Sequence, residues 1–450
     1  MGLWAEDGPP VGRIHMALFD EERGWPAVAS LDCPEGRFPS IGSARPGAIR
    51  LERTIHDLHG LTPIDPIDDR PWLKHDPTVP YSFLPVEGYN LHHIPVGPVH
   101  AGIIEPGHFR FTCAGETVVR LEERLGYVHK GIERLLCGAS LERAAKIIGR
   151  VSGDSTVAYA LAFSRAVEAA TMTEPPPRAH SIRALMAELE RIANHLGDIG
   201  AICNDAAFAF MHARCGELRE DTLRTAEACF GHRLMMDRII PGGVAVDMTE
   251  AKAIQLLALM AKLHLKIKRL AGVYDRESSL QDRTVGTGIL YSKLAHRFAA
   301  GGFIGRASSR NFDARAQPGY PPYSEMEFGV PMLIEGDVNA RVLLRFHEIE
   351  SSLSLIERLI ASLPEGEVVT PVISSEGEER EGMALVEGFR GDILVWLHLA
   401  ADGKTVMRCH PRDPSWFQWP LLEAAINGNI VPDFPLCNKS FNCSYAGHDL

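Results

Sequence analysis

The sequence predicts an α+β fold that is predominantly α: a central bundle of long helices carrying small β-hairpins. Three features predict it. Helical apolar spacing runs through the middle of the chain. It is clearest at Val342, Phe346, Ile349, Leu353, Ile356, Ile360 and Leu363, whose steps of four and three make a seam for antiparallel packing. Two pairs of short stretches read as hairpins: HFRFTC with TVVRLE around Ala114-Gly115-Glu116, and DILVWLHL with KTVMRCH around Asp402-Gly403. The 450 residues, 45% hydrophobic and 23% charged, are ordinary globular composition and enough for two to three domains.

In chain order, residues 1–85 form a first unit and 86–450 a second. The first is short and Pro-punctuated. Its compact stretch from Arg37 to Leu61, followed by Pro63, Pro66 and Pro71, reads as a small α/β piece that leans on the remainder. Helices are predicted over Arg124–Leu136, Leu141–Ala170, Ile182–Cys203 and Glu217–Ile240, the last stopped by Pro241-Gly242-Gly243. The four, with Val342–Leu363, require a bundle. Gly301–Pro331 is rich in Gly, Pro, Tyr and Arg and reads as a long irregular segment. The closing DFPLCNKSFNCSYAGHDL lacks helical periodicity, so it must be tucked against a core or fray.

Lys+Arg 46 against Asp+Glu 58 leaves a net charge of −12, which disfavours nucleic acid as a partner. MGLWAEDGPP has neither the basic nor the apolar region of an export signal, so a cytoplasmic location is expected. Ala251–Val273 is apolar but carries Lys252, Lys262, Lys266, Lys268 and Arg269, too many charges for a bilayer span. Nine scattered cysteines point to reduced thiols. CxxC, GxGxxG, P-loop and HExxH patterns are absent.

Seven blocks carry a resemblance: GPVHAGIIEPGHFRF (97–111), VHKGIERLL (128–136), RVSGDSTVAY (150–159), ELERIANHLGDIGAI (188–202), DRIIPGGV (237–244), GRASSRNFDAR (305–315) and EGFRGD (387–392). In this order they resemble the large subunit of energy-converting (group 4, formate hydrogenlyase-type) [NiFe] hydrogenases, and the quinone-site subunit of respiratory complex I, which shares that fold. ERTIHDLHGL (52–61) resembles the C-terminal part of the neighbouring hydrophilic complex I subunit, fused ahead. The resemblance implies a hydrogenase large-subunit-like fold, a small iron–sulfur partner subunit, membrane-embedded partner subunits, and a peripheral place on the cytoplasmic side of the inner membrane.

In that family a nickel–iron centre is held by four thiolates, soft donors that stabilise nickel and bridge it to iron. The matching positions here are Ser152, Ser155, Ser444 and Gly447. Hydroxyls are hard, poor ligands for low-valent nickel and glycine offers none. Cys443 and Cys437 lie off the ligand positions. No metal and no bound cofactor are therefore expected in this chain.

Other family residues carry over. Glu133 matches the glutamate that passes protons beside the metal, and a salt-bridged helix glutamate is the plainer alternative. Arg390 matches the arginine overhanging the site, with a strand brace as its alternative. Glu188, Arg191, His195 and Asp198 make one polar helix stripe. Asp198 matches the aspartate that pairs with a quinone-contacting histidine, for which His100 and His108 are the candidates. Leu141 stands where complex I has a tyrosine donor, and Tyr159 replaces a hydrogenase histidine facing the same cavity. Arg306, Arg310, Asp313 and Arg315 form a charged loop that either meets the iron–sulfur partner or is solvated.

The expectation is a metal-free hydrogenase-like subunit of a proton-coupled oxidoreductase complex, taking electrons from the iron–sulfur partner and passing them to a quinone-like acceptor. A non-catalytic structural subunit and a working hydrogenase are the alternatives. An open cavity beside Glu133 would favour the first over the second.

Overall fold

A computed structural model describes residues 2–6, 12–76, 78–100, 104–372 and 377–450. It opens on an antiparallel sheet of β1 (Gly2–Glu6), β2 (Gly12–Asp20) and β3 (Trp25–Cys33). Then β4 (Arg37–Pro39) and β5 (Thr62–Ile64) pair in parallel, with α1 (Ile49–His59) between them. This is the α/β piece the sequence predicts, with an unpredicted sheet ahead of it. The segment does not stand apart. Leu3, Leu51 and Trp72 share one apolar core with Phe109, Leu125 and Trp416, and Arg50 reaches across to Glu123 (3.3 Å) and Glu423 (2.7 Å).

A second antiparallel sheet joins β6 (Leu91–Val96), β7 (His108–Ala114) and β8 (Thr117–Arg124). Its last strand takes up Arg124, so the helix predicted from that residue shrinks to α2 (Ile132–Leu136). The predicted Leu141–Ala170 helix is broken in two, α3 (Leu141–Ile148) and α4 (Thr156–Thr171). Small polar residues of the intervening GRVSGDS compete for backbone hydrogen bonds and favour caps and turns over a helix interior.

Long helices α5 (Pro177–Asp205), α6 (Ala209–Phe230), α7 (Glu250–Arg276) and α11 (Val338–Ala361) form the bundle. The predicted Glu217–Ile240 helix instead ends at Phe230, where Gly231 turns left-handed (φ 76°). Its last residues form β9 (Ile239–Ile240), paired with β10 (Gly243–Val244). Short helices α8 (Ser278–Thr284) and α9 (Ser292–Arg297) lead into the irregular segment, which begins with α10 (Gly302–Arg306).

Three antiparallel strands, β11 (Arg380–Gly388), β12 (Gly391–Leu399) and β13 (Val406–Arg412), pack on α4. The predicted hairpin is β12 with β13, and β11 extends it. The closing stretch is helical after all: α12 (Ser415–Ala425) is followed by α13 (Phe434–Phe441) and α14 (Tyr445–Asp449). Tertiary capture explains it. Asp449 accepts the Gly126 and Val128 amides (both 2.9 Å), which ties the tail to the loop after β8.

Candidate functional site

The break between α3 and α4 carries Ser152, Asp154 and Ser155. The turn from β11 to β12 carries Arg390. Gly391 (φ 136°) makes that turn, and a Cβ on Gly302 would lie 2.0 Å from the Arg390 carbonyl oxygen, so α10 can approach only as glycine. Gln418 Nε2 donates to the same oxygen (2.7 Å). Arg390 is thereby aimed back at the serine loop.

Its guanidinium clasps Asp154 through both oxygens (2.9 and 2.5 Å), reaches Ser155 Oγ (3.1 Å) and donates from Nε to the Asn442 carbonyl oxygen (2.5 Å). Ser152 Oγ donates to Asp154 Oδ1 at 2.5 Å. Burial works to raise the Asp154 pKa, but Arg390 and the two serine hydroxyls override it and hold the carboxyl down at about 2. Asp154 is absent from the residues the sequence singles out, although it sits between the two serines of the motif.

The carboxyl-terminal motif closes the other side. Ser444 Oγ accepts the Gly447 amide (2.9 Å) as the cap of α14. Asp413 accepts the Tyr159 hydroxyl (2.6 Å) and the Ser415 amide (2.8 Å). Burial first, and Asp413 second, push the Tyr159 phenol well above its ordinary range. A Cβ on Gly447 would stand 2.4 Å from Asp413 Oδ2. Thus Asp413 fills the space that any side chain at position 447 would need, and no local pattern in the sequence marks it.

These donors do not fit a nickel–iron centre. Ser152 and Ser155 give their hydroxyls to Asp154, Ser444 is spent as a cap, and Gly447 has neither a side chain nor room for one. Cys443 lies buried in the apolar core, and burial first of all raises its thiol well above the usual range, away from the thiolate a metal needs. Among the described residues no three His, Cys, Asp or Glu side chains form a metal-holding group.

The remaining candidates separate into other places. Glu133 binds His410 Nδ1 (2.6 Å) and Arg408 Nη2 (3.0 Å) on β13, beside a cavity of about 30 Å³ lined by Trp4. Burial would raise its pKa, but Arg408 and His410 outweigh it and keep it far below the carboxylate range. This is the salt-bridged arrangement, with partners other than those nearest in sequence.

Asp198 binds Arg345 Nε (3.1 Å) and Asn442 Nδ2 (2.8 Å), not a histidine. Through Asn442 it nonetheless joins the Arg390 site. His108 Nδ1 meets the Gly97 carbonyl (3.3 Å) and lines a cleft of about 810 Å³ with His75, Tyr81, Phe83 and Tyr127. His100 packs 5.6 Å from the Phe109 ring; the neighbouring 101–103 lie outside the described residues. The histidine–aspartate pair expected from the resemblance is not formed.

Arg306, Asp313 and Arg315 are neither solvated nor on a partner-facing surface. They are sealed inside, the two arginines paired with Asp313 and with Glu188, Glu348 and Glu387 from three other elements. The polar stripe of α5 is the sequence signal for this, since such a stripe on a bundle helix needs partners. Arg310, by contrast, binds the half-exposed Glu21 (2.5 Å).

Comparison with known proteins fits this architecture. The family described as respiratory-chain NADH dehydrogenase, 49 Kd subunit, matches residues 198–383. The match runs from the end of α5 through α6, α7 and α11 to the start of β11, and leaves out the serine loop, Arg390 and Ser444. Hydrogenase-4 component G of Escherichia coli is 29% identical over 97% of this chain and 80% of its own length. Formate hydrogenlyase subunit 5 of the same organism is 28% identical over 93% and 78%. The C/D subunit of the NADH-quinone oxidoreductase of Phocaeicola vulgatus is 30% identical over 76% and 66%. No helix among the described residues is long and apolar enough to cross a membrane. The chain belongs to the family of large subunits shared by membrane-associated group 4 hydrogenases and respiratory complex I.

Proposed function

We propose that this chain is a metal-free large subunit of a membrane-associated oxidoreductase complex, in which the place of the bimetallic centre is taken by the chain's own Asp154–Arg390 ion pair. The observation that carries the reading is the bidentate clasp of Arg390 on Asp154 between the two serines. A bidentate guanidinium–carboxylate pair is rigid and directional. It ties the serine loop, the β11–β12 turn and, through Asn442, the carboxyl-terminal helices into one unit. The partners are a small iron–sulfur subunit and membrane-embedded subunits, met on the cytoplasmic side of the inner membrane. On this reading the subunit serves the complex as a structural member.

The test is the assembled complex carrying Arg390→Ala. The reading expects weaker retention of this subunit, and hydrogen turnover absent in wild type and variant alike. Hydrogen turnover in the wild type that the variant loses would contradict it.

A second reading keeps electron transfer from the iron–sulfur partner to a quinone-like acceptor. What favours it is the cleft of about 810 Å³ beside His108, whose size and aromatic lining suit a planar ligand. His108→Ala would then raise KM for a soluble quinone at least several-fold; an unchanged KM removes this reading.

A further inference from the structure

The sealed polar cluster beneath the bundle has an uneven charge. Three guanidinium groups, Arg191, Arg306 and Arg315, meet four carboxylates, Glu188, Asp313, Glu348 and Glu387, within one connected set of ion pairs. His195 joins it through Nε2 to Glu348 (2.8 Å). All eight side chains are at most 1% exposed. A net charge in such a place is costly, and a buried group takes up or releases a proton instead.

We propose that this cluster is a proton-binding site, holding one proton on Glu387 at mildly acid pH and giving it up as pH rises through neutrality. The geometry selects Glu387 by elimination. Among the described residues His195 Nδ1 has no hydrogen-bond partner and is buried, and the Phe303 and Phe389 rings stand nearly perpendicular to the imidazole with centroids 5.9 and 6.1 Å from its own. A proton there would be a buried donor with no acceptor.

Glu188 accepts from Arg315 (2.9 Å), Tyr323 (2.6 Å) and Ser352 (2.6 Å). Glu348 takes two nitrogens of Arg306 (3.0 and 2.6 Å), and Asp313 takes two of Arg315 (3.0 and 2.7 Å). These three are ionised. Among the described residues Glu387 has only Nη1 of Arg306 (2.8 Å), which also faces Asp313 (3.4 Å), and the Ala314 amide (3.0 Å).

The other charges around it do not supply the missing cation. Arg191 gives its nitrogens to the Glu387 and Gly388 backbone carbonyls (2.9 and 3.1 Å). Asp392 is negative and already paired with Arg412 (2.6 Å). Arg345 is paired with Asp198 (3.1 Å). Arg165 reaches Glu387 only through Tyr320, whose ring it covers at 4.7 Å and whose hydroxyl oxygen accepts the Glu387 amide. In keeping with this, burial first and Asp313 second push the Glu387 pKa up to about 7.

The experiment compares thermal unfolding of the full chain with Glu387→Gln and Glu348→Gln across pH. A carboxyl whose folded pKa lies above its unfolded one loses stability as pH rises between the two, here from 4.5 to about 7. The difference in Tm between wild type and Glu387→Gln should drift against the wild type over that window and stay level above it. At the acid end Glu387→Gln should unfold within about 2 °C of wild type, whereas Glu348→Gln, which removes an ionised partner, should lose roughly 5–10 °C. Infrared spectra should show a protonated-carboxyl band that titrates near neutrality in wild type and is missing from Glu387→Gln. A level Tm difference across the window, a Glu387→Gln loss as large as that of Glu348→Gln, failure of Glu387→Gln to fold, or an unchanged infrared band would overturn the proposal.

Discussion

Two polar regions of this molecule are built from the same chemistry and differ in what surrounds them. In the deep cluster Arg306 and its carboxylate partners are fully shielded. In the clasp, Arg390 is 6% exposed while Asp154 keeps 34% of its side chain in contact with solvent. The deep set joins helices and strands that already pack together, so its charges have no alternative to one another. The clasp joins a loop, a turn and the tail. Shielding makes each deep partner obligatory, whereas the clasp can relax toward water when broken.

Substitutions should grade accordingly. Arg306→Met, which strands Glu348 and Glu387, should cost about 3–5 kcal/mol and strip the protein of cooperative thermal unfolding or of soluble expression. A variant that unfolds like wild type would erase the contrast. Gly447→Ala comes next: its methyl would meet Asp413 at 2.4 Å, and the overpacking should cost about 1–3 kcal/mol in denaturant titration.

Asp154→Asn should cost less, about 1 kcal/mol near neutral pH, because solvent reaches the carboxylate. Its pH signature is the sharper test. The Asp154 pKa falls from 3.8 to about 2 on folding, so its contribution is fully present above 3.8 and lost as pH falls toward 2. Wild type and Asp154→Asn should converge in stability across that acid window. Ser155→Cys should change stability least, by under about 0.5 kcal/mol, and should leave metal content unchanged, since one thiol cannot replace four.

What is legible in the sequence follows from the same contrast. Apolar periodicity exposes α5 and α11 because their buried faces recur every three or four residues. It runs straight through GRVSGDS because neighbouring helical pattern masks a seven-residue break. The tail misleads for a related reason: α13 and α14 are held by contacts such as Asp449 with the loop after β8, and contacts across hundreds of residues leave no local period. At the site, Ser152, Ser155, Arg390 and Ser444 are legible because the resemblance singles them out, the serines by the ligand positions it implies and Arg390 by the arginine it implies beside them. Asp154, Asp413 and Asn442 are not, since what ties each to the site is a partner far away in the chain: Arg390, Tyr159 and Asp198 respectively. The charged loop near Arg306 reads in the sequence as partner-facing or solvated because, besides its own Asp313, the acids it pairs with come from α5, α11 and β11.

On the proposed function, side chains close the position where the resemblance implies a nickel–iron centre. Elemental analysis of the complex purified with this subunit tests it most directly. The account predicts nickel at background level per chain; one nickel bound per chain would contradict it.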